Sequence, residues 1–338
     1  MRDLVRRVVS QAVRHRASVE IARLRSVVLR GSLAALASGR RPIIVGPWLG
    51  EVGFEVLYWI PFVRWFAGEF GVDANRIIVI SRGGTASWYQ PFAGAYHDVF
   101  SYVSEQEFRR YHHERLRDRG EQKQVRNSEF ERDLQRRVAA AAGAPGAAVL
   151  HPSTMFELFN PYWWRHLDER WVHRHTRYVH LPLPDDTGIG PLPERYAAVK
   201  FYFNDSFPDT PCNRAFVRSV VRELSERMPV VSLTTGLNVD DHGTCAVDGH
   251  GVVVPHLGVD ARANLHVQSA ILARATTFAG TYGGFSYLAP FYGVPTVAYF
   301  DDPTRFSSRH LAMARSAFAS LGRERLFEVR GSTPDVRS

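Results

Sequence analysis

A glycine-rich stretch late in the sequence carries residues whose types suit anion binding. "GTYGGFSYLAPFYGVP", Gly280 to Pro295, lies between two apolar runs, which predicts a strand, a turn, a helix and a second strand. Free backbone N–H groups at the start of such a helix attract anions, and phosphate in particular. Glycine also serves strand-to-helix turns that do no more than allow tight packing. From the residues alone, both interpretations stay open.

Under the anion-binding interpretation, this turn holds a diphosphate without the help of a metal ion. The helix begins at the paired glycines, so three successive amides are available to the ligand. Two neighbouring hydroxyls add further hydrogen-bond donors. The residues predicted to bind the donor here are Thr281, Tyr282, Gly283, Gly284, Phe285 and Ser286.

A longer stretch around this turn resembles a known signature. "LHVQSAILARATTFAGTYGGFSYLAPFYGVPTVAYF", within residues 264–300, is similar to the C-terminal signature of GT-B glycosyltransferases, especially the lipopolysaccharide heptosyltransferases. In those enzymes a helix, a strand with a polar and glycine-containing loop, and a helix leading to G-x-P-T-V-x-x-[FY] form the nucleotide-sugar diphosphate site. Tyr282 stands where that family usually has an aspartate, and Tyr287 where it usually has a histidine. The resemblance therefore implies a nucleotide-sugar donor but names neither its base nor its sugar.

Two glutamates follow the first apolar run of the sequence. "GPWLGEVGFEVLYWIP" places Glu51 and Glu55 after a predicted strand, among glycines that permit an irregular backbone. The resemblance implies a general base in this loop, and a carboxylate can take the proton of an acceptor hydroxyl. Glu51 is the first choice because it lies in the loop proper, whereas Glu55 falls one turn into a helix. The alternative is that a first-turn glutamate only complements the helix dipole.

Other predicted site residues follow the ends of the remaining strands. Lys200 falls inside a predicted strand that runs to Phe203, and it neutralises a leaving diphosphate if its side chain faces the cleft rather than solvent. The further donor-site candidates are Asn204, Thr234, Thr235 and Gly236, and the acceptor-site candidates are Trp48, Gly50, Arg82 and His151. A tryptophan-rich segment, "NPYWWRHLDERW", either stacks on acceptor sugars or packs an interdomain helix. No spacing typical of a metal site occurs, so neither a metal nor another cofactor is expected.

Strands that alternate with helices must position these residues. Two such series occur, and the proline- and glycine-rich stretch "LPLPDDTGIGPLPERY" separates them. We expect an α/β fold in which two Rossmann-like doubly wound domains face each other across a cleft, as in GT-B enzymes. The expected units are a basic helical arm at 1–40, an acceptor domain at 41–185, a nucleotide-sugar domain at 186–330 and a tail at 331–338. A strand near residues 99–102 is expected in the first domain.

Positive charge is concentrated at the N-terminus of the 338-residue chain. The formal net charge is +8, and residues 1–41 contain ten arginines against Asp3 and Glu20, so the remainder is close to neutral. This asymmetry predicts a local basic arm rather than a protein that binds nucleic acid. Apolar residues at helical spacing within residues 1–30 make the arm amphipathic. It either lies on an anionic membrane surface or packs against the domain or a partner.

The cysteine content and the hydropathy of the sequence indicate the cellular compartment in which the protein is expected. Cys212 and Cys245 lack the spacing of a disulfide framework or a zinc site, which favours a reduced, cytoplasmic setting. No apolar stretch reaches the roughly 20 residues that a membrane span needs. The expected location is therefore cytoplasmic, with peripheral contact to the inner face of the membrane through the basic arm.

These features together predict a glycosyltransferase. It would move a sugar from a nucleotide-diphosphate sugar to a glycan or lipid-linked acceptor, with inversion and without a metal, in cell-surface polysaccharide synthesis. Inversion follows from assigning Glu51 as the base. Two alternatives stay open: a nucleotide-sugar epimerase of the same architecture, and a binding module that holds the nucleotide sugar without chemistry.

Overall fold

Two parallel β-sheets with flanking helices form the protein. The computed structural model describes residues 2–90, 92–119, 123–235, 237, 243–245, 252–253, 259–305 and 307–332. The strands are β1 (Ile43–Val45), β2 (Ile77–Ser81), β3 (Ala95–Asp98), β4 (Ala148–Leu150), β5 (Ala197–Lys200), β6 (Tyr202–Phe203), β7 (Val230–Ser232), β8 (Gly243–Thr244), β9 (Val252–Val253), β10 (Thr277–Thr281), β11 (Thr296–Phe300) and β12 (Phe327–Gly331).

Helices connect these strands and cover both faces of each sheet, as parallel strands require. They are α1 (Arg2–Ser38), α2 (Val52–Phe54), α3 (Ile60–Glu69), α4 (Ala86–Tyr89), α5 (Glu105–Arg119), α6 (Glu129–Ala141), α7 (Pro152–Trp163), α8 (Glu169–His173), α9 (Pro211–Ser225), α10 (Asn264–Ala273), α11 (Gly284–Tyr292) and α12 (Ser308–Ser320). A π-helical turn, Glu55–Trp59, joins α2 to α3. No helix among the described residues is long and apolar enough to cross a bilayer.

The strand order places a topological switch point in each sheet. The first sheet has the order β3-β2-β1-β4, and the second has the order β12-β11-β10-β5-β7-β9, with every pairing parallel. If the six strands of the second sheet are renumbered 1 to 6 along the chain, their order is 6-5-4-1-2-3. Read from the opposite edge this is 3-2-1-4-5-6, the strand order of dinucleotide-binding domains. Its switch point lies between β5 and β10, and that of the first sheet lies beside β1. Ligands of such sheets bind beyond the carboxyl ends of the strands at these points.

The predicted α/β class with two Rossmann-like sheets is confirmed. The first sheet uses strands within residues 43–150 and the second uses strands within residues 197–331, on either side of the predicted linker. The strand expected at residues 99–102 was placed wrongly: β3 ends at Asp98, and a short 3-10 turn follows. The Asp98 carboxylate accepts a hydrogen bond from the Phe100 amide at 2.9 Å, which turns the chain out of the sheet.

One hydrophobic core runs through both halves of the chain. It joins buried side chains of β1 and α3 to those of β5, α10, α11 and α12. Helix α12 also makes polar contacts with the N-terminal half: the Tyr58 hydroxyl lies 2.7 Å from Nδ1 of His310, and the Tyr162 hydroxyl donates to the Arg309 carbonyl at 2.7 Å. Helix α12 therefore helps to hold the C-terminal half against the N-terminal half.

Trp48 belongs to this core, which corrects its assignment to the acceptor site. Its ring is buried and stacks against Trp59 and Phe156, with ring centroids 5.9 and 6.3 Å away. Its backbone amide donates to the Ile80 carbonyl at 2.9 Å, which extends the β1–β2 pairing past the strand end. A ring fixed in this way stabilises the fold, and neither of its faces is accessible to a sugar.

We expect Trp48→Ala to lower the free energy of unfolding by about 3–5 kcal/mol, because it leaves a large cavity in a packed aromatic cluster. Urea unfolding monitored by circular dichroism measures the change. Trp164→Ala is the matched control, since that ring is 72% exposed, and its effect should stay within about 0.5 kcal/mol. Equal stability of the two variants would show that Trp48 is not a core residue.

Candidate functional site

A cleft between the two halves contains a cavity of about 500 Å³. It opens at the carboxyl ends of the strands, where both sheets have their switch points. Glu51, Gly53 and Tyr58 line it from the N-terminal half, and Lys200 and Gly284 are among the residues that line it from the C-terminal half. Its size falls within the range of about 300–1,000 Å³ that small-molecule sites occupy.

The glycine-rich turn forms one end of this cavity. Gly283 and Gly284 both have positive φ, +111° and +36°, so the turn favours glycine at both positions. The Ser286 hydroxyl accepts a hydrogen bond from the Gly283 amide at 2.9 Å and donates to the Gly283 carbonyl at 2.8 Å. Within the described part of the chain, the amides of Gly284 and Phe285 have no hydrogen-bond acceptor, and both residues line the cavity. Two first-turn amides of α11 are thus available to an anion.

Close backbone approach defines the walls around these amides. A Cβ atom added to Gly53 would lie 2.9 Å from the Gly284 nitrogen, so α2 packs directly on the first turn of α11. On the other side, the Tyr202 hydroxyl would lie 2.9 Å from a Cβ on Gly283. Any larger residue at Gly53 has to push the two halves apart.

Lys200 faces the cleft, which answers the question of its direction. It is the last residue of β5, and its ammonium group lies 4.3 Å from the centroid of the Phe285 ring. The same ammonium donates to the Gln268 side-chain oxygen. An aromatic face and an amide oxygen hold the cation beside the first turn of α11. Lys200 and the free amides therefore concentrate positive potential at one place.

The other donor-site candidates form a second part of the cavity wall. Asn204, Thr234 and Thr235 line it, whereas Gly236 lies outside the described residues. The Asn204 side-chain oxygen accepts hydrogen bonds from its own turn, including that of the Phe207 amide at 2.9 Å. The Thr235 hydroxyl donates to the Asn264 side-chain oxygen at 2.7 Å. These contacts fix the wall of the cavity at the carboxyl ends of β5 and β7.

Two predicted donor-site hydroxyls serve the fold instead, which corrects their assignment. Thr281 donates to the Tyr202 carbonyl at 2.8 Å and accepts from the Tyr202 amide at 3.0 Å, so it ties β10 to β6. Ser286 caps its own turn and is fully buried. Tyr282, in contrast, lines the cavity, and its hydroxyl donates to the Ser307 carbonyl at 3.2 Å. Burial raises the pKa of the Tyr282 phenol, so it stays protonated at neutral pH.

The two glutamates of the first loop have different environments. Glu51 precedes α2, lines the cavity and keeps 48% of its side chain exposed. Its carboxylate lies 3.0 Å from the Lys123 ammonium, which sits 3.6 Å from the centroid of the Phe54 ring. This pair places a solvent-accessible carboxylate at the mouth of the cleft.

Glu55 does not line the cavity, which corrects its assignment as a catalytic residue. It is fully buried in the π-helical turn, where its Oε1 accepts hydrogen bonds from the Tyr89 hydroxyl at 2.6 Å and the Ser81 hydroxyl at 2.5 Å. Burial, followed by the charge of Glu55, raises the pKa of Tyr89 well above its usual value. The phenol thus remains a donor to the carboxylate, and the cluster joins the helix to β2.

The remaining acceptor-site candidates lie behind the cavity wall, which corrects their assignment. Arg82 is buried and donates to the Gly50 carbonyl at 2.8 Å, so both residues hold the first loop in shape. His151 caps α7 and lies 3.3 Å from the Glu131 carboxylate. Burial alone would raise the pKa of Glu131, but contacts with His151 and Ser128 lower it to about 2. Each of these side chains makes polar contacts within the protein, and none of them lines the cavity.

Two further residues of the cleft, Arg305 and His310, were not singled out from the sequence. Arg305 lines the cavity, and its guanidinium lies 3.6 Å from the carboxylates of Asp205 and Asp302. His310 lines it from the first turn of α12. Both follow β11, the neighbour of β10, so their position after a strand near the switch point was a signal that could have found them.

Comparison with known proteins gives similarities of fold only. No protein-family model matches the sequence, and no curated protein matches it. A glycosyl transferase family 9 structure from Veillonella parvula has 13% identity and a TM-score of 0.44, covering 89% of this chain and 90% of that one. The ADP-heptose lipopolysaccharide heptosyltransferase II of E. coli has 13% identity and a TM-score of 0.39, covering 86% and 89%.

The glycosyltransferase TibC from enterotoxigenic E. coli has 11% identity and a TM-score of 0.41. The aligned region covers 77% of this chain, and the chain spans 58% of the length of TibC. Similarity at these levels does not transfer an activity.

The cleft histidine makes stability depend on pH. Burial, and less strongly the charge of Lys123, lowers the pKa of His310 to about 4, against about 6.5 in the unfolded chain. The unfolded state therefore binds the proton more readily, and the stability contributed by neutral His310 is full above pH 6.5 and is lost as the pH falls towards 4. Because part of the His310 side chain remains exposed to solvent, we expect a loss of about 1–2 kcal/mol between pH 7.5 and pH 5.

Urea unfolding of the wild type and of His310→Gln at both pH values measures this loss. Asp98, whose pKa burial raises to about 6, has the opposite pH dependence, so only the difference between the two proteins isolates His310. The variant should lose less stability than the wild type on acidification. Parallel pH profiles would contradict a buried neutral imidazole.

Proposed function

We propose that this protein is a glycosyltransferase that uses a nucleotide-diphosphate sugar. One observation carries the proposal: a single cleft brings the exposed carboxylate of Glu51 from one sheet opposite the free amides of Gly284 and Phe285 from the other. Transfer of a sugar needs both features, an anion site for the leaving diphosphate and a base for the acceptor.

The donor diphosphate would bind at the first turn of α11. The amides of Gly284 and Phe285 donate to its oxygens, and the helix N-terminus contributes a partial positive charge of about half a unit. Lys200 on one side and Arg305 on another supply full positive charges in the same cavity. With these groups the leaving charge can be stabilised without a metal ion, so we propose a metal-independent transfer with no further cofactor.

The nucleoside would extend along the wall formed by Thr234 and Thr235. The hydroxyl and amide groups of this wall, with Asn264 behind it, suit hydrogen bonds to a ribose or a base. The sugar then lies on the other side of the diphosphate, towards Glu51 and Tyr58. On these positions we propose residues 41–185 as the acceptor domain and residues 186–330 as the donor domain.

Glu51 would act as the general base. It takes the proton from an acceptor hydroxyl, whose oxygen forms a bond with the anomeric carbon of the sugar. The bond between that carbon and the diphosphate oxygen breaks, and the nucleoside diphosphate leaves with the electron pair. We propose an inverting transfer, in which a base from the N-terminal half directs the acceptor oxygen to the face of the anomeric carbon opposite the diphosphate held by the C-terminal half.

The acceptor would approach from the open side of the cleft. Glu51 is half exposed there, which leaves room for a large molecule beside it. We propose a glycan or lipid-linked acceptor, and a role in cell-surface polysaccharide synthesis at the inner face of the membrane. The long basic helix α1 is the feature that supports a location at a membrane.

We expect Glu51→Gln to reduce turnover by at least about 100-fold, because an amide cannot accept the acceptor proton. Affinity for the nucleoside diphosphate should change by no more than a few-fold. A thermal-shift screen of UDP, GDP, dTDP, ADP and CMP first identifies the nucleotide, since a ligand of the native state raises the melting temperature. Glycosyl transfer to acceptor is then measured with the matching donor.

Glu157→Gln is the control, since this exposed glutamate lies on α7 and does not line the cavity. It should keep full turnover. Undiminished transfer by Glu51→Gln would remove Glu51 from the mechanism. Formation of epimerised donor in the absence of acceptor would indicate an epimerase instead. Nucleotide binding without formation of any product would indicate a binding module without catalytic activity.

A further inference from the structure

A second cavity, of about 530 Å³, lies outside the cleft and is strongly basic. It forms where the loop after α7 and helix α8 meet α1 and α12. Five arginines and a single carboxylate line it: Arg23, Arg165, Arg170, Arg174, Arg309 and Asp168. Arg309 also donates to backbone carbonyls, and Glu20 and Asp168 pair with Arg23 and Arg170, so positive charge still exceeds negative charge at this solvent-facing site. Such a field attracts anions that can accept several guanidinium hydrogen bonds, which is the chemistry of phosphate.

Arg165 occupies a backbone position that favours glycine. Its φ of +61° makes it the one non-glycine residue with positive φ in the described part of the chain. Its amide donates to the Tyr162 carbonyl at 3.0 Å, and the His166 amide donates to the Pro161 carbonyl at 2.9 Å. These two bonds form the helix-ending motif in which glycine is the usual residue. An arginine that costs backbone strain here indicates a use for its side chain rather than for the fold.

Helix α1 carries an apolar strip on its outward face. Ala22, Leu33 and Ala37 are buried on the face that packs against the protein, and α7 is the main contact. At 100° per residue, the opposite face presents exposed apolar side chains. These are Val13, Ile21, Leu24, Val27 and Val28, of which the last three are about 70% exposed.

The strip and the basic cavity are adjacent. Arg23 lines the cavity, and Val27 lies one turn further along the same side of α1. Trp164, which directly precedes the cavity-lining Arg165, is 72% exposed. Basic groups beside an exposed apolar strip and an exposed tryptophan are the composition of a surface that lies in a lipid interface.

We propose that this surface docks on a bilayer that contains anionic phospholipid. Lipid phosphates enter the arginine cavity, while Leu24, Val28 and Trp164 reach the boundary of the acyl chains. Charge favours this occupant over a second copy of the chain, because a symmetric pairing would bring two sets of arginines together. The docking surface thus includes α8 and the loop before it, and it is independent of the chemistry in the cleft.

Vesicle flotation of the full chain tests the proposal. The vesicles contain phosphatidylcholine alone or phosphatidylcholine mixed with phosphatidylglycerol, at low and high salt. Binding should require phosphatidylglycerol and weaken with salt, because surface charge is screened. Each arginine near an anionic surface is worth about a five-fold change in affinity, so Arg170→Glu with Arg174→Glu should weaken binding at least about 25-fold.

Arg218→Glu with Arg222→Glu is the matched control. These arginines are also four residues apart and exposed, but lie on α9 in the other half. This variant should bind within about two-fold of the wild type. Equal losses in both double variants would overturn the proposal, since net charge alone would then govern binding. Arg309 is left unchanged because it donates to the carbonyls of Tyr162 and Leu167.

Arg165→Gly separates the binding role from the fold. Glycine relieves the positive-φ strain, so the melting temperature should stay the same or rise, while vesicle affinity should fall about five-fold. Unchanged vesicle affinity in this variant would remove Arg165 from the surface. Inorganic phosphate that binds the protein while anionic vesicles do not would show a site for a soluble phosphate instead. A dimer that dissociates on Leu24→Ser and ignores vesicles would show an interface between copies, and either result would overturn the proposal.

Discussion

The contact of α2 with the first turn of α11 is the constraint on which the cleft depends. There the backbones of the two halves meet at Gly53, where an added Cβ would lie 2.9 Å from the Gly284 nitrogen and 3.2 Å from the Tyr287 ring. No side chain fits this gap, so the loop that carries Glu51 can approach the free amides of α11. The hydrophobic core that continues from one sheet to the other, together with α12, holds this approach in place. Cleft width, and with it the distance between Glu51 and the amides of α11, is therefore a property of the packing of both halves.

Charge is distributed unequally between the walls of the cleft. The C-terminal half supplies a helix N-terminus, Lys200 and Arg305, which is paired with Asp205, whereas the N-terminal half supplies the carboxylate of Glu51, which is paired with Lys123. The transfer we propose, with an anionic leaving group and an acceptor that loses a proton, would use this arrangement. The buried carboxylates of the same half, Glu55 and Glu131, are bound by protein hydroxyls and by His151, so they stabilise the scaffold rather than act on a substrate. Exposure, more than residue type, separates the two roles.

The sequence predicted the architecture well, because apolar strands alternating with helices admit few arrangements. It also placed the turn at Gly284 correctly, since a switch point follows from strand order. The first strand of the second half was predicted to run to Phe203, whereas β5 ends at Lys200. The prediction of site residues failed where a side chain contacts a residue that is distant in sequence. Thr281 bonds Tyr202, and Trp48 is enclosed by rings of other helices; nothing local distinguishes either residue from one that faces a ligand. Arg305 was missed because it follows β11 rather than β10, and its place in the cleft depends on the pairing of these two strands.

A crystal structure of the protein with its nucleoside diphosphate would show whether the first turn of α11 binds the diphosphate. We expect phosphate oxygens within about 2.7–3.2 Å of the amide nitrogens of Gly284 and Phe285, with the Lys200 ammonium on the same diphosphate. The two halves should remain in contact at Gly53, with Glu51 across the cleft from the diphosphate. A diphosphate bound elsewhere on the protein, with those amides facing solvent, would show that α11 does not form the donor site.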